Sequence, residues 1–225
     1  MDTVYEPLRR WGSKTGVFCG WAMCEDGRKV LLSLSTAQSE SYERCLGVLR
    51  DFAKRGMQVP VTITTDGASG LTKAIDALGP QSLRIRCWFP KMRNLQQKVP
   101  AQAWPECKTL VVAMRDAPSA EAAHARRPAL IDQYQRAFPE ACRCLLDEAE
   151  ASLNPLQLPP RHQHYVRTSN LAERAFVEAR RRTKVLPHLQ TEQSLVNLVF
   201  AVWMRVSARW NKTSFRAFEQ HQIRN

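Results

Sequence analysis

VPVTITTDGASGLTKAI (Val59 to Ile75) holds the step that decides the fold. The β-branched run is a strand pattern, and it stops at Asp66-Gly67. From Ala68 to Leu78 the apolar spacing becomes that of a helix. A strand that passes through Asp-Gly straight into a helix is a building step of α/β proteins. It also leaves a carboxylate at a strand's C-terminal end, where open α/β sheets present functional groups. An Asp ahead of a helix equally serves as an N-cap. On the residues alone both readings of Asp66 stand.

Upstream, three stretches read as strands: Asp2 to Tyr5, Val17 to Cys24 and Lys29 to Ser35. Asp26-Gly27 between the last two is a hairpin signal. In SESYERCLGVLRDFAKRG, Tyr42, Cys45, Leu46, Leu49, Phe52 and Ala53 form one helical face, and Gly56 ends it. Downstream, SLRIRCW (Ser82 to Trp88) is a fifth strand leading into the basic segment KMRNLQQKV. From Ala101 to about Ser152 the pattern is helical throughout. Pro105, Pro118, Pro128 and Pro139 are expected where helices start or break. NPLQLPPRHQH reads as a loop, and two late helices span Ser169 to Lys184 and Thr191 to Trp210.

This order predicts an α/β fold with a mixed five-stranded sheet flanked by helices. It is the order of the ribonuclease-H-like fold, with an all-helical insertion before the last core helix. The expected organisation is a first part of the core over 1–100, the insertion and loop over 101–166, and C-terminal core helices over 167–225.

The chain has 225 residues and a net charge of +12, which points to a polyanionic partner, nucleic acid ahead of a membrane. Seven cysteines without a CxxC pair suggest reduced thiols rather than a zinc or disulfide framework. The five histidines and Cys142-x-Cys144 show no ligand spacing. No signal peptide opens the chain, and the apolar run Leu195 to Met204 falls short of the ~18 residues of a membrane span. No GxSxG elbow or paired Cys/His block points to a serine or cysteine hydrolase.

A second acid stands out in RTSNLAERAFVEARRRTK. Leu171, Ala172, Ala175, Phe176 and Ala179 form the apolar stripe, and Glu173 projects beside the direction of Arg180 and Lys184. A carboxylate on so basic a face also serves simply to offset its neighbours.

VYEPLRRWG, CEDGRKVLL, TTDGASGLTKAI, RCWFPKMRNLQQKVP and RTSNLAERAFVEARRRTKVLP together resemble the Mutator-type transposases of bacterial insertion sequences, from Asp2 to about Trp210. The resemblance implies a DDE-type, ribonuclease-H-like catalytic domain that cuts element ends and joins the freed 3′-hydroxyls to target DNA. It further implies that Asp2, Asp66 and Glu173 are catalytic carboxylates holding two Mg²⁺ (or Mn²⁺) ions. Element-end and target DNA would be the partners, with homo-oligomer formation during transposition and a place at the bacterial nucleoid in the cytoplasm. Lys91, Arg93, Arg180, Arg181, Arg182 and Lys184, with Asn94, are the expected DNA contacts.

Two features depart from the family pattern. Its Cys-x-x-His element has Cys87 here but Pro90 in the fourth position, and proline carries no imidazole. The family's upstream end-recognition region is missing, so the chain is expected to be N-terminally truncated. Both departures suit a second reading, a non-catalytic DNA-binding or transposase-interacting remnant.

Overall fold

The computed structural model describes residues 2–7, 14–37, 41–183, 191–208, 210 and 214–224. In chain order, the first elements are strands β1 (Asp2–Pro7), β2 (Lys14–Met23) and β3 (Lys29–Ala37), then helix α1 (Tyr42–Lys54). Next come β4 (Thr62–Thr65), α2 (Ser69–Leu78), β5 (Leu83–Arg86) and α3 (Trp88–Gln96). A helical stretch follows: α4 (Trp104–Arg115), α5 (Ala120–Tyr134), α6 (Pro139–Leu146), α7 (Ala149–Leu153) and α8 (Pro160–Val166). The last helices are α9 (Asn170–Thr183), α10 (Glu192–Ser207) and α11 (Ala217–Arg224). No helix among the described residues is long and apolar enough to cross a membrane.

The fold is mixed α/β, and all five expected strands are present. Among the described residues, β1, β2 and β3 join in an antiparallel sheet, while β4 and β5 form a parallel pair. The chain makes two compact units, one of residues 1–61, 68–81 and 169–225, the other of 62–67 and 82–168.

In the first unit β2 is the middle strand and has neighbours on both faces. Val17 and Cys19 pack with Ala172, Ala175, Phe176 and Ala179 of α9 and with Leu195, Val199 and Trp203 of α10. On the other face Gly20 lies against the ring of Phe52 of α1, where an added Cβ would sit 3.1 Å from the ring. The hairpin forms where Asp26-Gly27 predicts it: Gly27 takes φ 90°, and its N–H bonds the Cys24 carbonyl at 2.9 Å. The alanine stripe of α9 lets α10 approach closely enough for the Trp203 indole N–H to donate to the Ala175 carbonyl at 2.7 Å. The Trp203 ring also meets Phe176 edge-on at 5.2 Å.

The second unit surrounds the β4–β5 pair with α3 to α8. Its core runs from Trp88, Leu95 and Val99 through Cys107, Val111 and Met114 to Leu130, Leu145 and Leu153. The Thr64 hydroxyl donates to the Val166 carbonyl at 2.6 Å and the Asn154 amide to the Arg84 carbonyl at 2.7 Å, tying the α7–α8 segment to the strands.

Four expectations change. The strand ending at Asp66 begins only at Thr62, because Pro60 has no N–H to offer a ladder, and Val59 and Val61 are exposed. Pro128 lies inside α5 rather than breaking it. The supposed loop NPLQLPPRHQH folds as a 3₁₀ turn (Asn154–Gln157) and α8, each with a proline at its start, where the missing N–H costs nothing. On α1, Cys45, Leu46, Leu49 and Phe52 are buried, whereas Tyr42 and Ala53 are exposed.

The Trp203→Ala substitution removes the largest side chain of the first unit's core and leaves the Ala175 carbonyl without its donor. It is expected to cost about 3–5 kcal/mol. Chemical denaturation should show the loss, and Trp203→Phe, which keeps a ring but no N–H, should fall between.

Candidate functional site

Two of the expected carboxylates stand on elements of one unit. β1 begins at Asp2, which is in register opposite Cys19, and Cys19 is buried in the core that α9 covers. Helix α9 packs against both β1 and β2. The side chain of Asp2 lies outside those described. Glu173 sits in the first turn of α9, half-buried, and its Oε1 accepts from the Ser169 hydroxyl at 3.0 Å. As the helical spacing predicts, Ala172, Ala175, Phe176 and Ala179 are buried; Leu171 is only half-buried. Burial of these residues turns the opposite side of α9, with Arg174, Arg180, Arg181 and Arg182, to the surface. Arg181 and Arg182 share Glu178, at 3.0 and 2.5 Å, and those hydrogen bonds, Arg182 first, hold its carboxyl below the usual range. Lys184 lies outside the described residues.

Asp66 belongs to the second unit. It follows β4 directly and is half-buried. The helix after it is capped at Ala68, without a side-chain cap bond. Gly67 has φ +88°, a conformation side chains avoid, and an added Cβ would fall on the guanidinium of Arg86. The Gly67 N–H bonds the Thr65 hydroxyl at 3.2 Å, and the Cys87 N–H bonds the Thr65 carbonyl at 2.8 Å. Asp66 is thus carried on a turn that touches the end of β5.

Arg86 is 9% exposed. Its Nε pairs with Glu148 at 3.0 Å, and Arg84 reaches the same carboxylate. The Arg86 Nη1 is buried without a hydrogen-bond partner among the described residues. Glu148 is the only non-glycine with positive φ among the described residues, at 48°. A half-buried carboxylate between two cations, on a backbone of unfavoured conformation, marks a position held by its surroundings. Sequence reading missed Arg86 and Glu148; the one signal was Gly67, which requires something to lie close above it.

The expected DNA contacts divide. Arg93 and Asn94 of α3 are exposed, with the Arg93 guanidinium 4.9 Å from the Phe89 ring centre. Lys91 is a correction. It is 2% exposed, and its ammonium donates to the Asp147 carbonyl and, at 2.9 Å, to the Ser152 hydroxyl. Helix α3 turns Trp88, Lys91 and Leu95 inward on one face, so this cation serves the fold rather than a phosphate. Burial lowers its pKa to about 8. Cys87, the N-cap of α3, is fully buried, and Pro90 occupies the helix's first turn, where no N–H is needed.

Three carboxylates make an all-oxygen donor set of the kind that suits Mg²⁺. Among the described residues, which leave out the Asp2 side chain, no three His, Cys, Asp or Glu side chains gather as a metal-binding group.

Residues 1–213 match the family described as Transposase, Mutator family. A transposase for insertion sequence element IS6120 from Mycolicibacterium smegmatis is 29% identical over 185 residues, 82% of this chain and 57% of that protein. One for IST2 from Acidithiobacillus ferrooxidans is 27% identical over 186 residues, covering 82% of the chain and 63% of the relative. One for IS1081 from Mycobacterium tuberculosis is 28% identical over 212 residues, covering 93% and 51%. The chain therefore spans between 51% and 63% of the length of these relatives.

Gly67→Ala adds both left-handed strain and a clash with Arg86, and is expected to destabilise the protein by roughly 2–4 kcal/mol in urea unfolding. A loss under about 0.5 kcal/mol would show that the contact is not tight. Lys91 has the pH signature of a buried cation. Its folded pKa of about 8 lies below the unfolded value near 10.5, so between them the unfolded chain binds the extra proton and stability rises with pH. Relative to Lys91→Met, the native protein should gain stability from pH 8 to pH 10, read from paired denaturation curves.

Proposed function

The chain belongs to the Mutator family of transposases, and from that premise we propose that it is the catalytic domain of an insertion-sequence transposase. The observation that carries this is the packing of α9, with Glu173, against β1, which begins at Asp2. We further propose that the five strands belong to a ribonuclease-H-like mixed sheet and that Asp66 is the third acid of the site. Two neighbouring carboxylate-bearing elements and a third acid at a strand end support that reading.

In this reading Asp2, Asp66 and Glu173 hold two Mg²⁺ or Mn²⁺ ions. When bound, such ions activate the attacking oxygen and stabilise the leaving oxygen of an in-line phosphoryl displacement. The chain's own residues do the rest by positioning. The Ser169 hydroxyl orients one oxygen of Glu173. Arg86, wedged beneath Gly67, fixes the turn that presents Asp66. Arg93, Asn94, Arg180, Arg181 and Arg182 contact phosphates, which supplies affinity and register without reading bases. Cleavage uses water, and strand transfer uses the freed DNA 3′-hydroxyl; no covalent enzyme intermediate is needed.

Pro90 favours a second reading, a DNA-binding protein without turnover. It stands where the family's histidine stands and has no group to move a proton or hold a ligand.

The experiment is strand transfer of pre-cut element-end DNA into a plasmid with Mg²⁺ or Mn²⁺. Asp66→Asn is expected to reduce joining at least about a hundredfold, while Asp132→Asn, on the exposed side of α5, leaves it unchanged. Full joining by Asp66→Asn would remove Asp66 from the site. Salt-sensitive DNA binding with no joining, even in Pro90→His, would establish the second reading.

A further inference from the structure

Within the first unit a cavity of about 590 Å³ opens between α9 and the end of α10. Its volume is that of a small-ligand site. One wall is apolar: Val177, Val206 and the indole of Trp210. Its rim carries Arg174, Arg181 and Arg182 together with Glu178, and Glu173 stands at one side.

Trp210 is held from two directions. Its carbonyl accepts the Lys29 ammonium at 2.7 Å, and its ring lies 5.7 Å from that of Trp21. An aromatic surface fixed in this way loses little freedom when a flat ring settles on it. Val177 adds an apolar side chain that is 54% exposed among the described residues. Of the three arginines, Arg181 and Arg182 are engaged by Glu178, whereas Arg174 has no ion pair among the described residues. The cavity therefore combines a flat apolar wall with an uncommitted cation, beside a carboxylate of the proposed reaction site.

We propose that this cavity takes one unstacked nucleotide of the DNA, its base against Trp210 and Val177 and its phosphate on Arg174. This rests on the reading of the chain as a DNA-processing domain and adds the class of DNA it holds. A base within a duplex shows its faces only to its neighbours in the stack, so an apolar wall can receive it only from a single-stranded or extruded position. Charge and shape agree with that occupant: an anion attached to a flat ring matches a cationic rim above an apolar wall. Its place next to Glu173 puts the unstacked nucleotide beside the phosphate to be cut or joined.

The test measures fluorescence anisotropy of labelled duplexes in EDTA, so that no chemistry occurs. One duplex is blunt and the other carries a three-nucleotide single-stranded end. The protein is expected to bind the overhang duplex at least about tenfold more tightly, the size of one lost base stack. Val177→Gln and Arg174→Gln should each remove most of that preference while blunt-duplex affinity stays within about twofold. Trp210→Ala should do the same, and the two surface variants keep the test valid should Trp210→Ala unfold. A 2-aminopurine in the overhang should report stacking through quenching that Val177→Gln reverses. Blunt-duplex binding with no overhang preference, or a preference that survives Val177→Gln and Arg174→Gln, overturns the pocket alone. Absence of binding to either duplex overturns the DNA-partner reading beneath it.

Discussion

The alanine stripe of α9 is the constraint on which the first unit depends. Ala172, Ala175 and Ala179 have almost no side chain, so α10 and β2 come close to the helix backbone. Only at that separation does the Trp203 indole reach the Ala175 carbonyl, a buried bond between consecutive helices. The same packing decides which way Glu173 points. Once the alanines face the core, the geometry of a 3.6-residue turn sends Glu173 to the helix margin and the arginines to the surface. A larger residue at Ala175 would lift the helix from the sheet and move the carboxylate with it.

The second unit solves a similar problem with charge. The strand that leads into Asp66 is only four residues long, and β5, its partner among the described residues, is equally short. What fixes the turn after it is Arg86, with Glu148 between Arg84 and Arg86. A buried ion pair of this kind adds little net stability, because desolvation offsets most of the attraction. Its geometry is the more useful product: two donors converge on one carboxylate, and the guanidinium plane becomes a floor for Gly67. Glu148 also begins α7, so the helical segment and the Asp66 turn are anchored to the same strand.

What the sequence made legible follows from locality. The Asp26-Gly27 hairpin, the apolar stripe of α9 and the strand-to-helix step at Asp66 are all written within a few residues of where they act. Prolines misled where their local meaning is double. Pro155 and Pro160 read as loop markers, yet each starts a helical turn that does not require its N–H. The Arg84–Glu148 pair spans 64 positions, and no local pattern announces a contact at that distance. Lys91 shows the opposite failure. Its basic neighbourhood suggested a phosphate contact, but its position on α3, three after Trp88 and four before Leu95, gives it the inward face of the helix. Periodicity was the better guide there than charge.

That distinction bears on the net charge of +12. Taken as a count of phosphate contacts it overstates the interface, since many arginines are already engaged within the fold. Arg84 and Arg86 answer to Glu148, Arg115 and Arg167 to Asp116, and Arg127 to Glu150. The more exposed of these pairs, those of Asp116 and Glu150, are weak, about 0–1 kcal/mol. A buried arginine such as Arg86 is a different case, because no phosphate reaches it without undoing the turn at Gly67. The cations left exposed on helix surfaces are Arg93 on α3, and Arg174 with Arg180 to Arg182 on α9, the last group beginning one residue after Glu173. Helix α9 thus carries both Glu173 and a row of exposed arginines, and one packing decision, the burial of three alanines, orients both.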